Sequence, residues 1–333
     1  MELFFRFCIP ACHKPAPNIN QSYQILHYDN DWSSSGMHTI GKWGKHPIQY
    51  QVNSDGWLNP LEYQKEKIKP RIGVIGDSFV AALQVKPNES FHQRLDQLYG
   101  DSIEVYSFGY SGAPLSQYLK MALYAEANFH PDLFIVNLCY NDFDESLNHL
   151  NRNEYFWTYD ILSDSTFRQV EPLIEVPHHW LKRRLTYSAT YRYLFFNLTI
   201  HKLQKRRNRE KKLKEVKVVD KLLGNRSEIE KVIAHIFMEF KRAFPEKRIL
   251  FVADGPRRTI YNKGSNQSSR IWLNDYLAQQ CKKQGFEYID LIPFFIEDYE
   301  QNKLVFEFEE DGHWNAHAHR LVGDVIYNYL NEE

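Results

Sequence analysis

The chain of 333 residues is 43% hydrophobic and 25% charged, which is typical of a soluble globular protein with a substantial core. Its formal net charge of -1 gives no overall field that would attract nucleic acid or a strongly acidic partner. Four cysteines are too few for a disulfide framework at this length, and no segment approaches the roughly 20 apolar residues that a membrane-spanning helix needs.

Residues 1–69 are irregular in pattern, with short aromatic pieces among Gly, Asn and Ser residues. We expect an ordered lead-in with short β pieces that packs on the main domain. The first residues, MELFFRFCIPACHKP, lack the basic start and the long apolar run of a signal peptide. A cytoplasmic location is expected if the first Met is native, and a periplasmic or extracellular one if an N-terminal anchor was removed.

Residues 70–333 alternate between apolar runs and segments of helical spacing. The apolar runs, typical of buried parallel strands, are RIGVIGDSF, SIEVYSFGYSG, DLFIVNLCYND, RILFVADGP and FEYIDLIPFF. Helices are expected over 89–100, 115–129 and 267–285, with a last one starting near Ala316. The alternation predicts an α/β domain, a flavodoxin-like three-layer sandwich whose five parallel strands stand in the order 2-1-3-4-5.

Residues 151–245 interrupt this alternation and are expected to form a mostly helical insertion between the third and fourth strands. The insertion contains the basic run HKLQKRRNREKKLKEVK, residues 201–217. Such a run could contact phosphates or an acidic membrane surface, but it is more often a solvated helix face or a loop, and we favour that interpretation.

Polar residues follow the first three predicted strands, where an open α/β sheet binds its ligands. Ser78 stands at a strand-to-helix turn, where its hydroxyl would be exposed beside free helix N–H groups, although Ser78 or Asp77 could simply cap the helix. Gly109 and Gly112 could direct a backbone N–H at a ligand, or could serve only a turn. Asn141 could donate its side-chain N–H to an oxyanion, with Asp142 as an orienting or capping group. Together these residues suit nucleophilic catalysis by a serine.

The missing base is expected in FEEDGHWNAHAHR, which lies after the fifth strand and before the closing helix. His313 is the candidate, with a nearby carboxylate to hold its tautomer. A zinc site is the alternative, since His313 and His317 are four residues apart. However, Trp314 rather than Glu follows His313, no distant ligand cluster is visible, and His317 and His319 fit the start of the last helix. We therefore expect neither a metal nor an organic cofactor.

Four blocks of the sequence resemble those of the SGNH (GDSL-type) hydrolase superfamily in order and spacing: VIGDSFVAALQV, SFGYSGAPLSQ, LCYND and DGHWN. The resemblance covers about 71–143 and 248–330 and implies the SGNH hydrolase fold. It implies that Ser78 is the nucleophile and His313 the base. It also implies that the Ser78 N–H, Gly112 and Asn141 form the oxyanion hole.

Two blocks depart from the pattern of that superfamily. Cys139 takes the place of the glycine in Gly-x-Asn-Asp, next to the expected oxyanion hole. The last block is usually Asp-x-x-His, which would make Glu310 the acid, whereas Asp311 gives Asp-x-His. The shorter spacing, with Trp after the His, resembles members that O-acetylate bacterial polysaccharides such as alginate. We expect Asp311 to be the acid and keep Glu310 as the alternative.

These features predict a serine ester hydrolase that acts through an acyl-enzyme, with a carbohydrate O-acetyl esterase as the first expectation. The aromatic lead-in and the segment YFWTYD favour a glycan or another small ester as substrate, without nucleic acid. The alternatives are an O-acyltransferase that modifies a polysaccharide, and a lipid or thioester esterase. A protein of a different class, a non-catalytic scaffold that binds glycan or a membrane, is disfavoured because Ser78, Asn141 and His313 are all present.

Overall fold

The computed structural model describes residues 1–31, 33–41, 43–151, 153–163, 166–173, 184–198, 224–261 and 271–332. Its N-terminal part contains a short helix followed by two antiparallel hairpins: α1 (Glu2–Phe7), β1 (Pro17–Asn20), β2 (Ile25–Tyr28), β3 (Ser35–Ile40) and β4 (Lys45–Gln51). The described residues of this part thus form short elements, none longer than seven residues.

The first half of the α/β domain supplies three parallel strands and the helices between them. In chain order these are β5 (Arg71–Gly76), α2 (Ser78–Ala81), α3 (Phe91–Tyr99), β6 (Glu104–Gly109), α4 (Leu115–Phe129), β7 (Leu133–Leu138) and α5 (Asn141–Asp144), with 3-10 turns at Pro87–Glu89 and Gly100–Ser102. All three strands are buried along nearly their whole length, which explains their continuous apolar sequences.

The segment 151–245 begins with an antiparallel hairpin and continues as helices. Its described elements are β8 (Thr158–Ser163), β9 (Thr166–Val170), α6 (Ala189–Arg192), a π-helical turn at Tyr193–Asn197, and α7 (Arg226–Ala243). The hairpin adds to the helices expected here. The basic run 201–217 lies outside the described residues.

The last part of the chain completes the sheet. It contains β10 (Arg248–Ala253), α8 (Arg257–Tyr261), α9 (Ile271–Gln284), β11 (Glu287–Asp290), α10 (Ile292–Asn302), β12 (Glu307–Phe308), β13 (Asp311–Trp314) and α11 (Ala316–Asn331). Among the residues that the structure describes, no helix is both long enough and apolar enough to cross a bilayer.

The central sheet has five strands in the order β6-β5-β7-β10-β11, and every pair is parallel. This confirms the predicted 2-1-3-4-5 order and the α/β fold class. One face of the sheet packs on α4, α7 and α9 through a core rich in phenylalanine, and the other packs on α3 and α11 around Trp314. The molecule thus has three layers, and the carboxyl ends of all five strands meet at one edge.

The fifth predicted strand is too long. The run FEYIDLIPFF forms a strand only over Glu287–Asp290, and α10 begins two residues later. The Asp290 carboxylate accepts the Ile292 N–H at 2.9 Å, and Pro293 occupies the first turn, where a missing N–H costs nothing. A short apolar run does not by itself distinguish a strand from a buried helix.

The N-terminal part and the insertion pack on each other. Phe5 of α1 stacks on Tyr193 with ring centroids 4.0 Å apart. The Glu2 carboxylate accepts the Ala189 N–H at 2.8 Å at the start of α6. Asn197 donates to the Gly41 carbonyl at 3.0 Å, so the insertion also supports the tip of the β3–β4 hairpin.

Candidate active site

Ser78 is presented at a sharp turn between β5 and α2. The Asp77 carboxylate caps the helix by accepting the Phe79 N–H at 2.9 Å, so the capping role falls to Asp77. Ser78 Oγ also lies 3.2 Å from Asp77 Oδ2. Gly109 lets α2 lie directly on the end of β6, because a Cβ there would come within 2.4 Å of the Ala81 nitrogen. Gly109 therefore serves packing under the Ser78 turn.

The structure brings Ser78, His313 and Asp311 into one hydrogen-bonded chain. His313 Nε2 lies 2.8 Å from Ser78 Oγ, and His313 Nδ1 is hydrogen-bonded to Asp311 Oδ1. Since the carboxylate can only accept, Nδ1 carries the proton and Nε2 is left to accept the serine hydroxyl. The Asp311 carboxylate also accepts the His313 backbone N–H at 3.0 Å, and this bond restrains the conformation of the Asp311–His313 loop.

The two carboxylates that precede His313 have separate environments. Burial of Asp311 opposes ionisation, but its hydrogen bonds and charge interaction with His313 prevail and hold the pKa of this carboxyl below its ordinary value. Glu310 points away to the β3–β4 hairpin, where it pairs with Lys45 at 3.0 Å. The carboxylate in contact with the imidazole is therefore that of Asp311.

Trp314 anchors the loop that carries His313. Its side chain is fully buried, packs edge-on against Phe79 at a centroid distance of 4.8 Å, and donates its indole N–H to Asp254 Oδ1 at 3.1 Å. The Phe79 ring also lies 5.2 Å from the His313 ring. The tryptophan that distinguishes this block thus holds the histidine loop against the helix that begins with Ser78.

Arg257 holds the same loop from the end of β10. Its guanidinium forms an ion pair with Asp254 and donates through Nη2 to the Gly312 carbonyl at 2.8 Å. Burial lowers the pKa of Arg257, but the Asp254 charge outweighs this and raises it overall, so the group stays charged. Glu307 lies 3.4 Å from Arg257 Nε on the far side. The guanidinium therefore joins β10 to the peptide between Asp311 and His313.

Asp254 and Arg257 were not among the residues predicted from the sequence. They follow β10 directly in the stretch ADGPR, at the same carboxyl edge from which Ser78 and Asn141 were selected. Applying that positional rule to the fourth strand would have selected them as well.

The other two predicted oxyanion donors lie after β6 and β7, at the same edge of the sheet as Ser78. Gly112 has a left-handed φ of 81°, and a Cβ there would meet no atom within 4 Å. Glycine is therefore required at position 112 by its backbone angle and not by a lack of room for a side chain. Asn141 is exposed at the start of α5, with its Nδ2 3.4 Å from Asp142 Oδ1.

Asp142 orders the turn that presents Asn141. Its buried carboxylate accepts the Cys139 N–H at 2.7 Å and the Tyr118 hydroxyl at 2.8 Å. Burial, reinforced by the negative charge of Asp77, raises the pKa of Asp142 well above its ordinary value. The Cys139 side chain is also buried and belongs to the core around Trp314.

The remaining histidines of the last block lie apart from Ser78. His317 is hydrogen-bonded to Asp298 at 2.6 Å, and His319 accepts the Phe91 N–H at 3.2 Å in the core under α11. Both belong to the first turn of that helix, which begins at Ala316 after the Asn315 cap. Within the described part of the chain, no group of three or more His, Cys, Asp or Glu side chains is arranged to hold a metal ion.

No family model matches the sequence, and no curated protein matches it. Among solved structures, the chain is similar to an acetyl xylan esterase, AlAXEase, with 12% identity and a TM-score of 0.42 over 78% of this chain and 99% of that one. A lipolytic G-D-S-L family protein from Veillonella parvula gives 12% identity and a TM-score of 0.42 over 78% and 97%. TesA gives 11% identity and a TM-score of 0.43 over 79% and 98%. Likenesses of this size do not bear on activity or substrate.

The family resemblance rests on features of the chain itself. The four blocks occur in the order of the superfamily, the sheet has the 2-1-3-4-5 strand order, and the blocks meet at its carboxyl edge. The first and last blocks are joined by the hydrogen bond between Ser78 and His313. The chain has a flavodoxin-like α/β fold, and its four blocks resemble those of the SGNH (GDSL-type) hydrolases.

Proposed function

We propose that the protein is a serine ester hydrolase that acts through an acyl-enzyme. The observation that carries the proposal is the hydrogen-bonded chain from Ser78 Oγ to His313 Nε2, at 2.8 Å, and from His313 Nδ1 to Asp311. This is the arrangement in which a weakly nucleophilic hydroxyl gains a general base of fixed tautomer. The left-handed Gly112 and the Asn141 side chain at the same edge support an oxyanion hole.

In the first half-reaction, Ser78 Oγ attacks the ester carbonyl carbon while His313 Nε2 takes the hydroxyl proton. Asp311 stabilises the imidazolium that forms. The N–H groups of Ser78 and Gly112 and the Asn141 side chain donate to the tetrahedral oxyanion. Collapse of this intermediate breaks the bond to the leaving alcohol, which receives the proton from His313, and leaves the acyl group on Ser78.

In the second half-reaction, His313 takes a proton from water, which attacks the acyl carbon. The second tetrahedral intermediate collapses, the proton returns to Ser78 Oγ, and the free acid leaves. Every proton and bond is accounted for by the ester, water and the three side chains, so this reaction consumes no further reagent.

The substrate class that we propose first is an O-acetylated carbohydrate. Its support is the last block, in which Trp314 follows the Asp-x-His spacing, as in the polysaccharide-modifying members that this block resembles. The same block supports a second candidate, transfer of the acetyl group from Ser78 to a sugar hydroxyl in place of water. Both reactions use the same residues and differ only in what reaches the acyl-enzyme.

Hydrolysis of p-nitrophenyl acetate tests the proposed mechanism. Wild type should turn over, and Ser78→Ala should lose at least about a thousandfold in kcat because the nucleophile is gone. Ser102→Ala is the matched control, since Ser102 is an exposed serine whose hydroxyl donates to the nearby Tyr99 carbonyl. Equal turnover by wild type and Ser78→Ala would reject the mechanism, and the absence of turnover in both proteins would favour the non-catalytic scaffold.

Product analysis separates hydrolysis from transfer. The enzyme is incubated with an acetyl ester donor and a soluble oligosaccharide, and the products are identified by mass spectrometry. Free acetate with an unmodified oligosaccharide supports the esterase. An oligosaccharide that gains an acetyl group in a Ser78-dependent way supports the acyltransferase.

A further inference from the structure

Tyr28, at the end of β2, contacts the loop that carries Gly112. Its hydroxyl accepts the Ser111 N–H at 3.0 Å and lies 3.2 Å from Ser111 Oγ, to which it can donate. The ring is buried and stacks on Tyr110 with centroids 4.7 Å apart. A residue of the N-terminal part is thus bonded to both the backbone N–H and the side chain of Ser111, the residue before Gly112.

This contact restrains the part of the loop that would otherwise rely on local bonds. On the N-terminal side of Ser111, the Tyr110 N–H donates to the Gly76 carbonyl at 3.2 Å. On its C-terminal side, the Ala113 N–H donates to the Tyr110 carbonyl at 3.0 Å. Gly112 lies between these bonds with a positive φ, where glycine has wide backbone freedom. The Tyr28 hydroxyl therefore restrains Ser111, the residue before the most adaptable residue of the loop.

We propose that Tyr28 is a positioning residue for the oxyanion hole, holding the Ser111 amide so that the Gly112 N–H keeps its direction. The inference rests on the proposed function, and it makes the N-terminal part a component of the catalytic apparatus. Burial raises the pKa of Tyr28 to about 12, against the opposing effect of the Ser111 hydrogen bonds, so the hydroxyl keeps its proton across the neutral range.

The chain offers a matched control in Tyr63. Its hydroxyl also accepts a serine N–H, that of Ser107 at 2.9 Å, and donates to the Ser107 carbonyl at 2.8 Å. It is buried like Tyr28, but Ser107 lies within β6 and not in the loop beyond it. Tyr63→Phe removes the same chemical group from a contact with β6 itself, at Ser107, two residues before the strand ends at Gly109.

The test compares wild type, Tyr28→Phe and Tyr63→Phe in p-nitrophenyl acetate hydrolysis. Tyr28→Phe should lower kcat about tenfold with KM unchanged, less than the hundredfold or more for a missing donor, because the Gly112 N–H is misdirected and not removed. The shape of its pH–rate profile should stay that of wild type, since His313 is untouched. Tyr63→Phe should keep the wild-type kcat. Active-site titration with a p-nitrophenyl phosphonate counts reactive enzyme, so partial unfolding cannot imitate the effect.

Hydrogen exchange provides a second measurement that needs no activity. The Ser111 amide, whose N–H is bonded to the Tyr28 hydroxyl, should exchange faster in Tyr28→Phe and remain protected in Tyr63→Phe. Equal kcat in the two variants, a rise in KM in place of a fall in kcat, or unchanged exchange at this amide would overturn the inference. If wild type has no Ser78-dependent turnover, the proposed function fails, while the exchange experiment still decides whether Tyr28 holds the loop.

Discussion

Replacement of Arg257 by lysine should impair catalysis more than folding. The Arg257 side chain is 11% exposed and its partner Asp254 is 4% exposed, and the guanidinium bridges this carboxylate and the Gly312 carbonyl. A lysine ammonium keeps the positive charge, but its donors lie on one nitrogen, so it cannot reproduce both contacts that the planar guanidinium makes. Loss of one hydrogen bond from a charged donor should cost about 1.5–3 kcal/mol in the free energy of unfolding.

The same substitution should lower kcat, because Gly312 lies between Asp311 and His313. A shift of about 1 Å in a catalytic group can cost about a hundredfold, and we expect a fall of roughly ten- to a hundredfold. Arg257→Gln removes the charge as well, so that among the described residues the buried Asp254 carboxylate keeps the Trp314 N–H as its donor, and the variant should lose about 3–5 kcal/mol of stability. Urea denaturation measures the stability of each variant, and p-nitrophenyl acetate kinetics measure kcat.

Arg71 is the matched control for this experiment. It is a fully buried arginine that pairs with Glu104 at 2.6 Å and donates to the Phe129 carbonyl, at the amino end of β5 and far from Ser78 along the strand. Arg71→Lys should lose comparable stability and keep the wild-type kcat per folded molecule. Equal kcat values for Arg71→Lys and Arg257→Lys would refute the reasoning that Arg257 positions the histidine loop.

Two further predictions concern titratable groups. Asp311→Asn should lower kcat for ester hydrolysis by about four orders of magnitude, because the amide favours the wrong His313 tautomer. Glu310→Gln loses a partly exposed ion pair with Lys45, and its kcat should stay within about threefold of wild type. The reverse ranking of the two variants would contradict the assignment of Asp311 as the acid. Burial lowers the pKa of His319 to about 3, so the imidazole stays neutral in the folded protein, whereas in the unfolded chain it takes a proton below about pH 6.5. Because only the unfolded state binds this proton, the free energy of unfolding should fall by about 1.4 kcal/mol for each pH unit between 6.5 and 3. His319→Asn, which keeps an acceptor for the Phe91 N–H, should have a shallower pH dependence in urea denaturation, and parallel curves for the two proteins would contradict the neutral state of His319.

The parts of the fold that sequence could predict are those governed by burial pattern. The strands β5, β6, β7 and β10 are apolar along most of their length because both faces of the sheet are covered, and their alternation with helices indicates a parallel sheet. Ser78 and Asn141 could be selected because they directly follow such strands. His313 could be selected because the block that contains it follows the fifth strand.

The contacts that support these residues could not be predicted, because they depend on tertiary packing of irregular segments. Nothing in the lead-in sequence indicates that Tyr28 reaches Ser111, or that Lys45 draws Glu310 away from the imidazole. The choice between Glu310 and Asp311 depends on the conformation of a loop, and this conformation is set by the Trp314 indole on Asp254. The spacing of residues along the sequence does not reveal that contact.

The central claim, that Ser78 is the nucleophile and His313 its base, is tested most directly by covalent labelling. A p-nitrophenyl alkylphosphonate is mixed with the enzyme, and the intact mass and the modified peptide are determined by mass spectrometry. The account predicts one phosphonyl group per chain, attached to Ser78, with no labelling of Ser78→Ala and much slower labelling of His313→Ala. A label on another residue, or ester turnover that persists while Ser78 remains unmodified, would contradict it.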